Sequence, residues 1–249
     1  MSFKEDGYVH VKNVLSQGVC QLATQYMLFK KMNDVHKYFL EDDDSLGVPG
    51  SYIFMTDPLT ESFLKFLLPV AKEHTGLNLV PSYSCFKIYQ PGNVIEPHKM
   101  EPCCEITMLI TLDYTYNEVD DEYKWSAIID NKPVNIEQGE AFIYKGFDTE
   151  YERKKFDVGK DSFHIEMFLF YFDGDNPENK DIPQFAGREN IGVDIPSIAI
   201  TKPKEKESTP HSDIDFEKIK HEKIIPKEKE STPHSDIDFE KIKHEKIIL

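Results

Sequence analysis

Cysteine is scarce in this chain. Four thiols (Cys20, Cys85, Cys103, Cys104) in 249 residues are too few for a disulfide framework, and the adjacent Cys103 and Cys104 cannot close on each other without severe local strain. Buried or half-buried thiols in a reducing cytoplasm are therefore expected. Long apolar runs are also missing. The longest, residues 167–172, spans six residues, whereas a membrane span needs roughly 20, and residues 1–6 lack the apolar stretch of a secretory leader. No membrane association is expected. Basic charge is short as well: 29 Lys and Arg face 45 Asp and Glu, a net −16. An acidic surface repels phosphate, so no nucleic-acid partner is expected. Glycine, at 12 residues, is far too rare for a collagen-like chain.

Aromatic residues are plentiful, with 17 Phe and 12 Tyr, which a wholly disordered chain would not carry. They thin out near residue 202. From there, residues 203–225 read PKEKESTPHSDIDFEKIKHEKII, and residues 226–248 repeat them letter for letter. Each copy has five Lys against six acidic residues, so the tail holds little of the net charge. Two copies fall short of the roughly three that a stacked array needs. The tail is expected to be a charged, disordered segment. A frayed helix over residues 213–224 follows from the capping-box pattern of Ser212 and Asp215, and Phe216 and Phe239 are the side chains on which a partner would dock.

The remaining 202 residues suit one core. Residues 7–11 alternate like a short strand. Ser16 caps a helix over residues 17–32, with Val19, Leu22, Ala23, Tyr26, Met27 and Lys30 at helical spacing. A second helical pattern covers residues 58–75, broken at Pro69 and stopped at Gly76. From residue 79 the pattern becomes strands: 82–89, 105–114, 125–130, 133–136, 141–144 and 163–173, separated by turn chemistry such as Pro91-Gly92 and Asp130-Asn131. The last reads FHIEMFLFYFD and is apolar on both faces after Glu166, so it belongs between two layers. The organisation expected is a helical buttress over residues 1–80, a β core over 81–175, an extended wrap over 176–202 and the tail over 203–249.

An ordered series of short motifs runs through the β core. Pro97-His98 follows Gly92; Cys104-Glu105-Ile106-Thr107 opens the next strand; Trp125, Gly139-Glu140-Ala141 and Tyr144-Lys145-Gly146 lead to Glu150-Tyr151-Glu152-Arg153; Phe168-Leu169-Phe170-Tyr171 closes. This series resembles the Fe(II)- and 2-oxoglutarate-dependent oxygenases, in particular prolyl-hydroxylase-like members from phages and bacteria. Asp6-Gly7-Tyr8-Val9 resembles a common entry to such domains. The resemblance implies a mainly β fold with N-terminal helices, built on a double-stranded β-helix (jelly-roll, cupin-like) core. It also implies Fe(II) and 2-oxoglutarate as cofactors, the iron sitting on two His and one carboxylate with three positions open.

Set against that pattern, His98 occupies the first metal-ligand position and Tyr151 the distal one, while Met100 stands where the carboxylate is expected, two residues on along an extended segment. A thioether is a soft neutral donor, poorly matched to Fe(II). A phenol must lose a proton whose pKa is about 10 before it binds metal well. Glu101, His164 and Glu166 are substitute donors to weigh, and Glu105 reads as a structural partner at its strand start. For the dicarboxylate the candidates are Tyr89, Arg153 and Lys160, the last nine residues past Tyr151, with Lys87 beside them. No residue is assigned as catalytic. Three readings result: a pseudo-oxygenase that keeps the fold and a pocket, binding an unknown small molecule or protein; a working dioxygenase with an atypical metal set; and a structural or assembly protein on a β-sandwich.

Overall fold

The computed structural model describes residues 3–33, 39 and 48–192. The end of the wrap and the whole repeated tail lie outside the described residues.

A one-turn helix α1 (Phe3–Asp6) leads into β1 (Tyr8–Val11) and the long α2 (Gln17–Asn33). Then come β2 (Tyr52–Met55), α3 (Pro58–Phe66) and α4 (Leu68–Thr75). The two short helices meet at Leu67, because Pro69 has no N–H for the ladder of a continuing helix and fits only in a first turn. Gly76 ends α4 at φ 71°, donating its N–H to the Lys72 carbonyl.

Eight strands follow: β3 (Leu79–Tyr89), β4 (Ile95–His98), β5 (Ile106–Thr115), β6 (Ala127–Ile129), β7 (Lys132–Val134), β8 (Ala141–Lys145), β9 (Tyr151–Arg153) and β10 (Phe163–Asp173). They form a six-stranded sheet in the order β1-β8-β5-β10-β3-β2 and a four-stranded sheet in the order β4-β9-β6-β7. All pairings are antiparallel.

β10 lies between β3 and β5, as its two apolar faces require. Ile165, Met167, Leu169 and Tyr171 join the layer that includes Ala23, Met27, Leu64 and Ala71 from the helices. Phe168 and Phe170 face the other way, into an aromatic core with Tyr89, Trp125, Tyr144 and Tyr151. The helices thus buttress one face of the large sheet, and the aromatic core packs against the other. No described helix is long and apolar enough to cross a membrane.

Of the α2 residues at helical spacing, Leu22 and Tyr26 are 69% and 36% exposed, while Cys20, Ala23, Thr24 and Met27 turn inward. The roll of the helix follows from Asp57. That buried carboxylate pairs with Lys30 and accepts a 3.2 Å hydrogen bond from the Tyr26 hydroxyl, which holds both side chains at the rim.

Candidate ligand site between the sheets

The site starts from a strand pairing. β4 and β9 run antiparallel with His98 opposite Tyr151, and the two rings meet edge to face at 5.6 Å. His98 is exposed at the edge of the small sheet. Its Nδ1 donates to the Glu96 carbonyl at 2.8 Å, leaving the Nε2 lone pair free to accept. Partial desolvation of the ring lowers its pKa, and Lys87 adds to that. Tyr151 points inward and is buried. The motif positions are therefore neighbours in space.

Behind them lies a continuous buried polar chain. Arg153 follows Tyr151 by two residues and so shares its face. Its Nε donates to the Tyr151 hydroxyl at 3.0 Å, and its other nitrogens donate to the Trp125 carbonyl and to Glu166. The guanidinium also sits 4.6 Å from the Trp125 ring centre. Glu166 accepts a 3.1 Å bond from His164 Nε2, and His164 Nδ1 accepts from Tyr116 at 2.8 Å. His164 and Glu166 therefore do face inward. The signal was present in FHIEMFLFYF, where both lie on the face of Phe168 and Phe170.

Three buried atoms near this chain lack a hydrogen-bond partner: Tyr89 Oη, Tyr144 Oη and Glu166 Oε2. Buried polar atoms without partners are uncommon and call for water or a ligand. Burial also holds both phenols well above the usual tyrosine range, the more so with Tyr151 and Glu166 beside them.

The donor set does not fit ferrous iron. Among the described residues, no three His, Cys, Asp and Glu side chains come together as a cation cage. Burial pushes the Tyr151 phenol up, more than the Arg153 charge lowers it, so the hydroxyl keeps its proton. That oxygen already accepts from Arg153. Glu101 caps a short 3₁₀ turn and is exposed. Glu105 accepts from the Asp173 amide and from the Asn176 and Asn179 side chains, tying down the chain after β10.

The three residues proposed for the dicarboxylate separate. Tyr89 is inside with a free hydroxyl. Arg153 is inside but committed to Glu166. Lys160 stands on an exposed turn beside a groove of about 950 Å³ on the helix side, lined also by Lys31, Gln90 and Phe163.

Half-buried Cys103 lies in the 3₁₀ turn that follows β4, its Sγ 3.9 Å from that of buried Cys104. Cys104 donates to the Tyr83 hydroxyl at 3.2 Å. The Cys103 thiol is lowered to about 7, chiefly by its hydrogen bond with Cys104, which outweighs burial.

No family model matches the sequence, and no curated protein matches it. Solved structures do match. A prolyl-4-hydroxylase from Pseudomonas putida aligns with TM-score 0.51 at 13% identity, over 69% of this chain and 96% of that one. A non-heme α-ketoglutarate-dependent carbocyclase from nogalamycin biosynthesis gives 0.52 at 14%, over 69% and 81%. A prolyl hydroxylase from Trichoplax adhaerens, solved with a hypoxia-inducible-factor peptide fragment, gives 0.51 at 14%, over 69% and 86%. What is shared at these identities is the fold. The chain has the double-stranded β-helix of the Fe(II)- and 2-oxoglutarate-dependent oxygenases.

Proposed function

We propose that this protein is a pseudo-oxygenase: a double-stranded β-helix that binds a small polar ligand between its sheets and does not hydroxylate. The observation that carries the reading is the state of Tyr151, a protonated phenol opposite His98 whose oxygen is already engaged by Arg153. With Met100 at the carboxylate position, one imidazole remains, and a single neutral nitrogen holds Fe(II) weakly. Chemically the site can still receive hydrogen bonds at His98 Nε2 and Glu166 Oε2 and donate them from Tyr89 and Tyr144. Those groups suit a neutral or cationic polar molecule better than a dicarboxylate, because the guanidinium beside them, that of Arg153, is spent on Glu166.

In this reading the protein works in the cytoplasm, where its four thiols stay reduced, and residues 203–249 recruit a protein partner. Iron analysis of anaerobically purified protein tests the reading. Substoichiometric iron and no succinate from 2-oxoglutarate are expected. One tightly held iron per chain with 2-oxoglutarate turnover would overturn it.

A further inference from the structure

We propose that Cys103, Cys104 and Met100 form a binding site for a soft monovalent cation, Cu(I), separate from the imidazole of His98. The sulfur atoms of Cys103 and Cys104 lie 3.9 Å apart. That gap is far too wide for a disulfide, which needs about 2.05 Å. It suits a cation between them: with metal–sulfur bonds of about 2.3 Å, a 3.9 Å separation subtends about 116° at the ion, between the tetrahedral and trigonal angles.

A third soft donor is at hand. Met100 and Cys103 both pack, half-buried, against the aromatic core that includes Cys104. Gly146 brings the segment together. A Cβ there would stand 2.7 Å from the Cys104 carbonyl and 3.0 Å from Met100 Cγ, so only glycine lets the three segments close up. The Met100 amide bonds back to the Gly146 carbonyl at 2.9 Å, anchoring the backbone from which the thioether extends.

Two thiols and a thioether, without a carboxylate or imidazole among them, select by softness. Cu(I) accepts two or three sulfur ligands, whereas Zn(II) takes four donors and gains little from a thioether. The substitution that spoils the position for iron thus supplies the sulfur that the neighbouring pair lacks. Cys104 keeps its thiol beside Tyr83 until a cation displaces the proton, and binding releases protons from both cysteines.

The test is competition for Cu(I) against a chromophoric copper(I) chelator, under anaerobic conditions with the full chain. Wild type is expected to withdraw about one equivalent, with thiolate-to-copper absorption in the ultraviolet. Cys103→Ser should weaken retention at least tenfold, Met100→Leu several-fold, and His98→Ala not at all. A measurement on wild type alone guards against misfolded variants: bound Cu(I) should protect Cys103 from alkylation, read by mass spectrometry. No withdrawal of copper, retention unchanged in Cys103→Ser, loss in His98→Ala, or zinc held in preference to copper would each overturn the assignment.

Discussion

At the scale of single residues, the pair of Arg153 and Glu166 sets the character of the interior. Both side chains are buried, and a buried charge that loses its partner costs about 3–5 kcal/mol. Arg153→Met is therefore expected to lower unfolding free energy by about that amount, measured by urea titration. The double variant Arg153→Met/Glu166→Leu should recover most of the loss, since no lone charge remains.

The same pair gives a pH signature. Burial alone would raise the Glu166 pKa, but Arg153 and His164 outweigh it and hold the carboxyl below its usual range. Its contribution is present above the unfolded value of about 4.3 and is lost as pH falls through the folded one. His164 is also depressed, because burial outweighs the pull of Glu166. As pH drops below about 6.5, the unfolded chain takes up that proton before the folded one does, and the fold loses stability. Both groups thus favour the folded state at neutral pH. The urea midpoint should fall between pH 7 and pH 5, and His164→Gln should flatten that segment of the profile.

At the scale of elements, the helices show how one side chain organises several. Asp57 caps α3 by accepting the Leu59 amide at 2.9 Å while holding Tyr26 and Lys30 of α2. Loss of the cap alone costs about 1–2 kcal/mol. Asp57→Ala should cost at least that, and combining it with Lys30→Ala should be less than additive, because both remove the same contact. Gly139 is a second junction. It has φ 78°, and a Cβ there would strike the Leu15 carbonyl; Gly139→Ala should lower the melting temperature by several degrees, read by circular dichroism.

Much at this scale was legible in the sequence. The break at Pro69, the stop at Gly76 and the double-faced β10 follow from local chemistry. β4 and β9 were not legible as strands, because they are only four and three residues long and β4 buries Ile95 alone. Their motifs located them where periodicity did not. The roll of α2 was illegible for another reason: it depends on Asp57, 27 residues beyond Lys30, and no helical pattern carries that information. That His98 and Tyr151 are neighbours follows from motif spacing, whereas the chain from Tyr116 to Arg153 does not, since it joins two strands, β9 and β10, to the loop residues Tyr116 and Trp125.

At the scale of the whole molecule, the register of two strands makes a constructive prediction. Because His98 lies opposite Tyr151, Tyr151→His would return a second imidazole to the pair, and Met100→Asp would return the anionic oxygen two residues from the first. The double variant should gain about one Co(II), seen in visible d–d bands, whereas either single variant should bind far less. Failure of the double variant to bind would mean that the small sheet no longer holds these positions at ligand spacing.

β10 is a party wall, buried on both faces along nearly its whole length. The residues that front the helices alternate with those that front the inner chamber, so neither tenant can be emptied without the other sagging. Tyr89, Tyr144, Tyr151, Trp125 and Arg153 furnish the inner chamber to its walls, so cutting any of them down should be felt by the helices on the far side of the partition as well.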